Sequence, residues 1–115
     1  MILLQRRADP RSSDSEGYCP MHYAAGEGHM DAIQALVEKG YCDDTLKTFQ
    51  GLTMLHIAVT EQKLDVVKYL LQRKPHLAAI PDNDQMLPIQ YAKAVEDKTP
   101  LSKEIIQLLQ VSLFL

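Results

Sequence analysis

The feature that most constrains the fold is a segment that recurs along the chain at a spacing of 34 residues. A shift of 34 positions, applied once or twice, superimposes like residues: Gly17 on Gly51, His22 on His56, Ala24 on Ala58, and Pro20 on Pro88. One copy, residues 17–43, has two short apolar stretches on either side of the glycine-containing turn 26–28, which predicts a pair of short helices. Helices of about eight residues are marginal on their own in water, so the copies are expected to stack on one another.

The boundaries of the predicted helices follow from prolines, glycines and apolar spacing. Pro20 suits a first helical turn, where its missing N–H costs nothing, and Gly40 suits the left-handed position after a helix. In the second copy, Leu64 to Arg73 is the clearest outer helix, and Pro75 ends it. Residues 76–84 are expected to form the next finger-like loop.

The repeated residues resemble the ankyrin repeat family, whose pattern runs Gly-x-Thr-Pro-Leu-His-x-Ala-Ala, then Gly-His, an apolar pair and Gly-Ala. The first copy carries Gly17, Pro20, His22, Ala24, Ala25, Gly28, His29 and Gly40. The second copy carries Gly51, Thr53, Leu55, His56 and Ala58. The third copy keeps Pro88, Ile89 and Ala92, but has Gln85 and Gln90 in place of Gly and His. The resemblance covers about residues 3–110.

The resemblance implies an all-α repeat fold, an α-solenoid in which about three helix-turn-helix repeats stack and carry hairpin-like loops. The single domain, 1–115, divides into an N-terminal half-repeat and three repeats: 1–13, 14–47, 48–81, and 82–115 with an insertion near 97–101. Because the first residues resemble the tail of an outer helix, we expect a fragment of a longer array. A natural short form with a half-repeat cap is the alternative.

Composition excludes several classes of partner and compartment. The net charge of −3 makes no electrostatic case for nucleic acid or anionic membranes. No apolar run approaches about 18 residues, so no membrane insertion is expected. Two cysteines, Cys19 and Cys42, do not make a disulfide scaffold and suit a reducing compartment. We therefore expect a cytoplasmic or nuclear protein, or one found in both.

No catalytic residue, cofactor or metal site is predicted. In the related family, the histidine at the positions of His22 and His56 ties hairpin and helix backbones together, which implies a structural role for both. A zinc site made of Cys19, His22, His29 and Cys42 is disfavoured because structural zinc needs two tight ligand pairs that converge. The basic pairs Arg6-Arg7 and Arg73-Lys74, together with Lys39, are interpreted as a solvated face near helix ends.

The predicted binding surface consists of loop tips and exposed inner-helix positions, which line a concave groove in the related family. Its residues are Ser15, Glu16, Tyr18 and Glu27 from the first repeat, Phe49, Gln50, Leu52, Thr60 and Glu61 from the second, and Asn83, Asp84 and Met86 from the third. Tyr18, Leu52 and Met86 are expected to form an apolar row beside Phe49. The alternative is that this row packs down between neighbouring loops.

Charge on this predicted surface favours one kind of partner. Its acidic residues outnumber the nearby lysines: Asp14, Glu16, Glu27, Glu61, Asp82 and Asp84 against Lys47, Lys63 and Lys93. A protein segment with basic and apolar residues would fit. We therefore expect a non-catalytic protein–protein interaction module, serving as an adaptor, scaffold or inhibitor. The alternative is an ankyrin segment of a larger enzyme or ion channel, where it serves targeting or regulation. Oligomerisation through the exposed terminal repeats stays open.

Overall fold

The computed structural model describes residues 13–40, 44–94 and 100–114. These ranges contain six α-helices, which we label in chain order: α1 (Pro20–Glu27), α2 (Met30–Glu38), α3 (Met54–Thr60), α4 (Leu64–Arg73), α5 (Pro88–Ala94) and α6 (Pro100–Leu113). A short 3₁₀-helix, Pro75–Ala79, follows α4. No strand occurs in the described ranges, and the predicted all-α repeat fold is confirmed. None of the described helices has the length and apolar character needed to cross a bilayer.

The helices form two layers. The inner helices α1, α3 and α5 pack side by side, and each is followed by an outer helix that packs behind it. The middle inner helix is the best covered, since every residue from Met54 to Val59 is buried. Short helices that would be marginal alone thus share one continuous apolar core with their neighbours.

Helix ends lie where prolines, glycines and one threonine predict them. Pro20 is the first residue of α1, and Gly28 ends that helix in the left-handed conformation with φ 76°. Thr53 caps α3, and its hydroxyl accepts a hydrogen bond from the His56 backbone N–H at 3.4 Å. Gly40 follows α2 with φ 75°, as expected for a residue after a helix.

Arg73 and Lys74 lie at the surface as interpreted, but they share a buried partner that the sequence did not indicate. Asp44 is only 2% exposed, and its carboxylate lies 2.8 Å from the Lys74 Nζ and 3.5 Å from the Arg73 Nε. A buried carboxylate requires partners of opposite charge, so both cations are held at the end of α4. Lys39 is exposed as expected, and the pair at positions 6–7 lies outside the described residues.

The loop predicted at 76–84 is partly helical. Pro75–Ala79 forms a 3₁₀-helix in which Leu77 and Ala78 are buried. Burial of Leu77 in the core draws this segment against the outer helices, and only Asp82 to Met86 forms the turn of the finger. Residues 1–12 of the predicted half-repeat, and most of the insertion near 97–101, lie outside the described residues.

Candidate binding surface

Three equivalent turns, which we call fingers, project ahead of the inner helices at residues 14–18, 48–52 and 82–86. In each, the first residue's side-chain oxygen accepts two backbone N–H groups: Asp14 from Glu16 and Tyr18, Thr48 from Gln50 and Leu52, and Asp82 from Asp84 and Met86. The fourth residue has positive φ in every case: 84° at Gly17, 84° at Gly51 and 62° at Gln85. The fingers therefore share one shape, although glycine is absent from the third.

The fingers are joined to one another by the backbone. The Phe49 N–H donates to the Glu16 carbonyl at 3.1 Å, and the Asn83 N–H donates to the Gln50 carbonyl at 2.9 Å. The Asn83 amide also donates to the Phe49 carbonyl at 2.8 Å. The middle finger is thus held from both sides, so the side chains at its tip project from a fixed position.

The two repeated histidines are buried and occupy matching places, which confirms their predicted structural role. The Nε2 of His22 lies 3.0 Å from the Leu46 carbonyl, and the Nε2 of His56 lies 3.0 Å from the Met86 carbonyl. Each Nδ1 accepts the backbone N–H three residues earlier at 3.1 Å, so the proton is on Nε2. Burial lowers the pKa of His56, which keeps the ring neutral.

The cysteine and histidine candidates for zinc do not assemble into a site in the part of the chain that is described. Cys19 Sγ lies 3.3 Å from His22 Nδ1, but both ring nitrogens of this histidine already have backbone partners. His29 is exposed and lies beside Glu27 at 3.6 Å. The described residues include no cluster of three or more His, Cys, Asp or Glu side chains that could hold a metal, and Cys42 lies outside them.

Tyrosines tie down the carboxylates of the first and third fingers. The Tyr23 hydroxyl donates to Asp14 Oδ2, and the Tyr91 hydroxyl donates to Asp82 Oδ2. This bond raises the pKa of each tyrosine to about 12. At the same places, the middle repeat has Thr48 and Ile57. We call the Tyr23–Asp14 and Tyr91–Asp82 pairs the tyrosine links.

Both linked carboxylates stay ionised. The Tyr23 hydroxyl and the backbone N–H groups of its finger lower the pKa of Asp14. Burial opposes ionisation of Asp82, but hydrogen bonds from Tyr91 and from its own finger outweigh burial and lower its pKa. Sequence reasoning counted these two residues among the free charges of the acidic side. They keep their charge, but their oxygens are already occupied within the fingers.

A cavity of about 410 Å³ opens beside the middle finger. Eight of the twelve predicted binding residues line it: Tyr18, Phe49, Gln50, Leu52, Thr60, Glu61, Asn83 and Asp84. The lining does not include Ser15, Glu16, Glu27 or Met86. It does include three residues outside the prediction, Ile57, Asp82 and Tyr91. Ile57 and Tyr91 are 34 positions apart, so the repeat period itself was the signal that could have identified them.

The predicted apolar row is only partly available. Tyr18, Leu52 and Met86 are all half-buried, and the first two pack against the core. Phe49, by contrast, is 67% exposed at the tip of the middle finger. The row therefore packs partly between the fingers, and Phe49 is the exposed aromatic of this surface.

The lining of the cavity is negatively charged. It contains the carboxylates of Glu61, Asp82 and Asp84, and no lysine or arginine among the described residues. Burial raises the pKa of Tyr18, and the charges of Glu16, Asp14 and Glu61 raise it further. The cavity thus combines exposed aromatic surface with negative charge.

A second exposed apolar surface lies on the outer helices. It is a depression of about 690 Å³ between α4 and α6, and the rim carries three glutamines: Gln72, Gln107 and Gln110. Val111 is 62% exposed and Phe114 is 89% exposed there. Its described charged residues, Lys68 and Glu104, pair with each other at 3.4 Å, so the described part of this surface has no unbalanced charge to match that of the cavity.

Comparison with known proteins finds repeats of one kind. A family model of ankyrin repeats, in three copies, matches residues 1–84. Alpha-latrocrustotoxin-Lt1a of Latrodectus tredecimguttatus is 33% identical over 90 residues, covering 78% of this chain and 6% of the toxin. The probable 26S proteasome regulatory subunit p28 of Saccharomyces cerevisiae is 29% identical, covering 71% of this chain and 36% of that subunit. The potassium channel AKT2/3 of Arabidopsis thaliana is 30% identical, and the match covers 70% of this chain and 9% of the channel. The chain spans less than half the length of each relative.

Proposed function

The chain belongs to the ankyrin repeat family, and from that membership we propose that it is a non-catalytic adaptor, scaffold or inhibitor that binds a partner polypeptide at its fingers. Ankyrin repeats are generally protein–protein interaction modules. The surface that we propose for binding consists of the fingers and the exposed positions of the inner helices around the 410 Å³ cavity.

The observation that carries the proposal is Phe49. Its ring is 67% exposed, while its backbone N–H and carbonyl are both bonded to the neighbouring fingers. A large aromatic side chain held at a fixed place in water, at the edge of a cavity, is typical of the anchor residues of protein interfaces. Such an anchor binds a partner with little loss of conformational freedom.

The polar groups near the surface support binding without catalysis. His22 and His56 use both ring nitrogens for the backbone, so neither is free to transfer a proton. A cytoplasmic or nuclear location forms part of the proposal. Cys19 is a buried free thiol at the start of α1, and thiols stay reduced in these compartments.

A second candidate function is targeting or regulation within a larger enzyme or channel. The potassium channel relative favours it, because this chain matches only 9% of that protein's length. An immunoblot of the native protein, with an antibody raised against the 115-residue chain, separates the two candidates. A band at the size of the chain supports the adaptor, and a single much larger band supports the larger protein.

A photo-crosslinking pair tests the binding surface. The amino acid p-benzoylphenylalanine is placed at Phe49 in one variant and at Phe114, the other exposed phenylalanine, in a matched variant. Both are irradiated in cell extract, and the adducts are identified by mass spectrometry. We expect a discrete polypeptide adduct at Phe49 that competing unlabelled chain removes. Adducts at Phe114 alone would place the binding surface on the outer helices and contradict the proposal.

A further inference from the structure

The cavity lies where the middle repeat departs from its neighbours. Positions 23 and 91 hold tyrosines that reach the carboxylate at the start of their own finger. The equivalent position 57 holds isoleucine, which is buried and lies in the lining of the cavity. Without a tyrosine there, space remains beside the middle finger. The residue at position 57 therefore helps to shape this space, in addition to the stacking of the repeats.

The lining of this space is suited to a planar cation. Glu61 and Asp84 are exposed carboxylates in this lining, and Asp82 adds a third negative charge. The ring of Phe49 stands exposed at the edge, and the ring of Tyr91 lines the same cavity. A volume of about 410 Å³ is large enough for one long side chain with its flanking backbone.

We propose that the cavity beside the middle finger receives an arginine side chain of the partner polypeptide. Its guanidinium would stack on Phe49 and pair with Glu61 and Asp84, while apolar neighbours of that arginine cover Leu52. The inference deepens the proposed function and rests on it, because it names the chemistry of the bound segment.

Arginine fits this lining better than lysine for two physical reasons. The guanidinium is planar and weakly hydrated, so it stacks on an aromatic ring and loses less hydration on burial than an ammonium group. It also presents several N–H donors in a fixed fork, which can bond to two carboxylates at once. The chain already contains one such contact, with the guanidinium of Arg73 at 5.7 Å from the ring centre of Tyr69.

Selection from a random linear peptide library displayed on phage tests the inference with the full chain as bait. Selected peptides are synthesised with their arginine unchanged, or replaced by lysine or by uncharged citrulline, and affinities are measured by fluorescence polarisation. We expect selected sequences to be enriched in arginine. Replacement by citrulline is expected to weaken binding by about tenfold or more, with lysine intermediate.

Matched variants of the chain test whether the arginine of the peptide binds at the cavity. The double variant Glu61→Gln, Asp84→Asn is expected to weaken the arginine peptide by about tenfold, while its affinity for the citrulline peptide changes little. Glu27→Gln removes another exposed carboxylate, one that does not line the cavity, and it should change affinity by less than about twofold. Equal losses from both variants would indicate general charge attraction and overturn the inference.

A second variant fills the cavity instead of changing its charge. The double substitution Thr48→Asp, Ile57→Tyr transplants the tyrosine link of the flanking repeats into the middle one, at positions where those repeats already carry these residues. Circular dichroism and the thermal midpoint check the fold. With the fold retained, we expect loss of arginine-peptide binding; unchanged binding would overturn the inference.

The outcomes separate this inference from the proposed function. Selected peptides that need Phe49 but show no preference for arginine would leave the binding surface standing and overturn only the arginine pocket. Peptides insensitive to Phe49→Ala, or no selected peptides at all, would count against both.

Discussion

The middle repeat and the two repeats that flank it build the same finger from different side chains. In the flanking repeats an aspartate accepts two backbone N–H groups with one oxygen and a tyrosine hydroxyl with the other. In the middle repeat Thr48 accepts the same two N–H groups, and Ile57 replaces the tyrosine. The turn therefore needs a single acceptor oxygen, and the second carboxylate oxygen serves only the link.

The difference shows how space for a partner arises in a stacked fold. Ile57 packs against α1 closely enough that a Cβ on Gly26 would lie 3.2 Å from its Cγ2. Apolar packing inside the stack takes the place of a polar link at its surface, and Ile57 forms part of the cavity lining. The middle repeat can forgo the link because neighbours cover it on both sides.

The largest expected effect is the loss of stability when a repeated histidine is replaced, and we expect it to differ between the middle and the first repeat. His56→Ala should lower the free energy of unfolding by about 3 kcal/mol, because it leaves a buried N–H and carbonyl unpaired and opens a cavity. His22→Ala should cost less, because the inner helix of the first repeat has its described inner-helix neighbour on one side only. Urea denaturation followed by circular dichroism measures both. An equal or larger loss at His22 would contradict the special position of the middle repeat.

The next effect concerns the contact between the middle and third fingers. Gly51 has φ 84°, and an added Cβ would lie 2.7 Å from the Asn83 backbone nitrogen. Gly51→Ala should therefore destabilise the chain by about 2 kcal/mol through backbone strain and a displaced finger. Gly40→Ala is the control, since φ is 75° there and its Cβ would meet no described atom within 4 Å. Equal thermal midpoints for the two variants would show that the fingers do not support each other.

Removal of a tyrosine link is expected to have a smaller, pH-dependent effect. Tyr91→Phe should lower stability at neutral pH by about 1 kcal/mol, because Asp82 loses a hydrogen bond to its charged form. The link helps to hold the pKa of Asp82 below 3.8, so its contribution is present above that pH and is lost as the pH falls through the folded-state pKa.

The gap between wild type and Tyr91→Phe should therefore close in acid. Tyr69→Phe is a suitable control, since its hydroxyl bonds to the exposed Glu38 at 3.2 Å. Denaturant titrations at neutral and acid pH measure the gap for both. A gap for Tyr91→Phe that is independent of pH would show that the link does not act through the Asp82 charge.

The smallest expected effect comes from placing glycine at position 85 of the third finger, where the first two fingers have Gly17 and Gly51. Gln85 adopts φ 62°, which costs a residue with a Cβ about 1 kcal/mol or more. Glycine relieves this strain but loses more entropy on folding, so Gln85→Gly should raise stability by about 0.5 kcal/mol. Gln85→Ala keeps the strain and should not raise it. A shift of the urea midpoint reports both, and a loss on Gln85→Gly would mean that the glutamine side chain stabilises the finger.

The periodic features were predictable from the sequence. The spacing of 34 residues identified the stacked helix pairs. The resemblance to ankyrin repeats implied the structural role of His22 and His56 and the position of Phe49 near a finger tip. These features follow from local chemistry: Pro20 and Pro88 start inner helices, Gly28 ends the first of them, and every copy has an apolar face to bury. Three copies in the same phase make such local signals reinforce one another.

Tertiary structure decided which atoms remain free and where space is left. The pairing of Asp44 with Arg73 and Lys74, and the place of Ile57 in the cavity lining, depend on contacts between residues far apart in the sequence. The tyrosine links span only nine residues, but they depend on how each inner helix is placed against its own finger. From sequence alone a carboxylate is taken for an exposed charge, because its burial and its hydrogen-bond partners are set by the folded arrangement of helices and fingers. Sequence alone thus determined the stack, and packing between its layers determined the surface available to a partner.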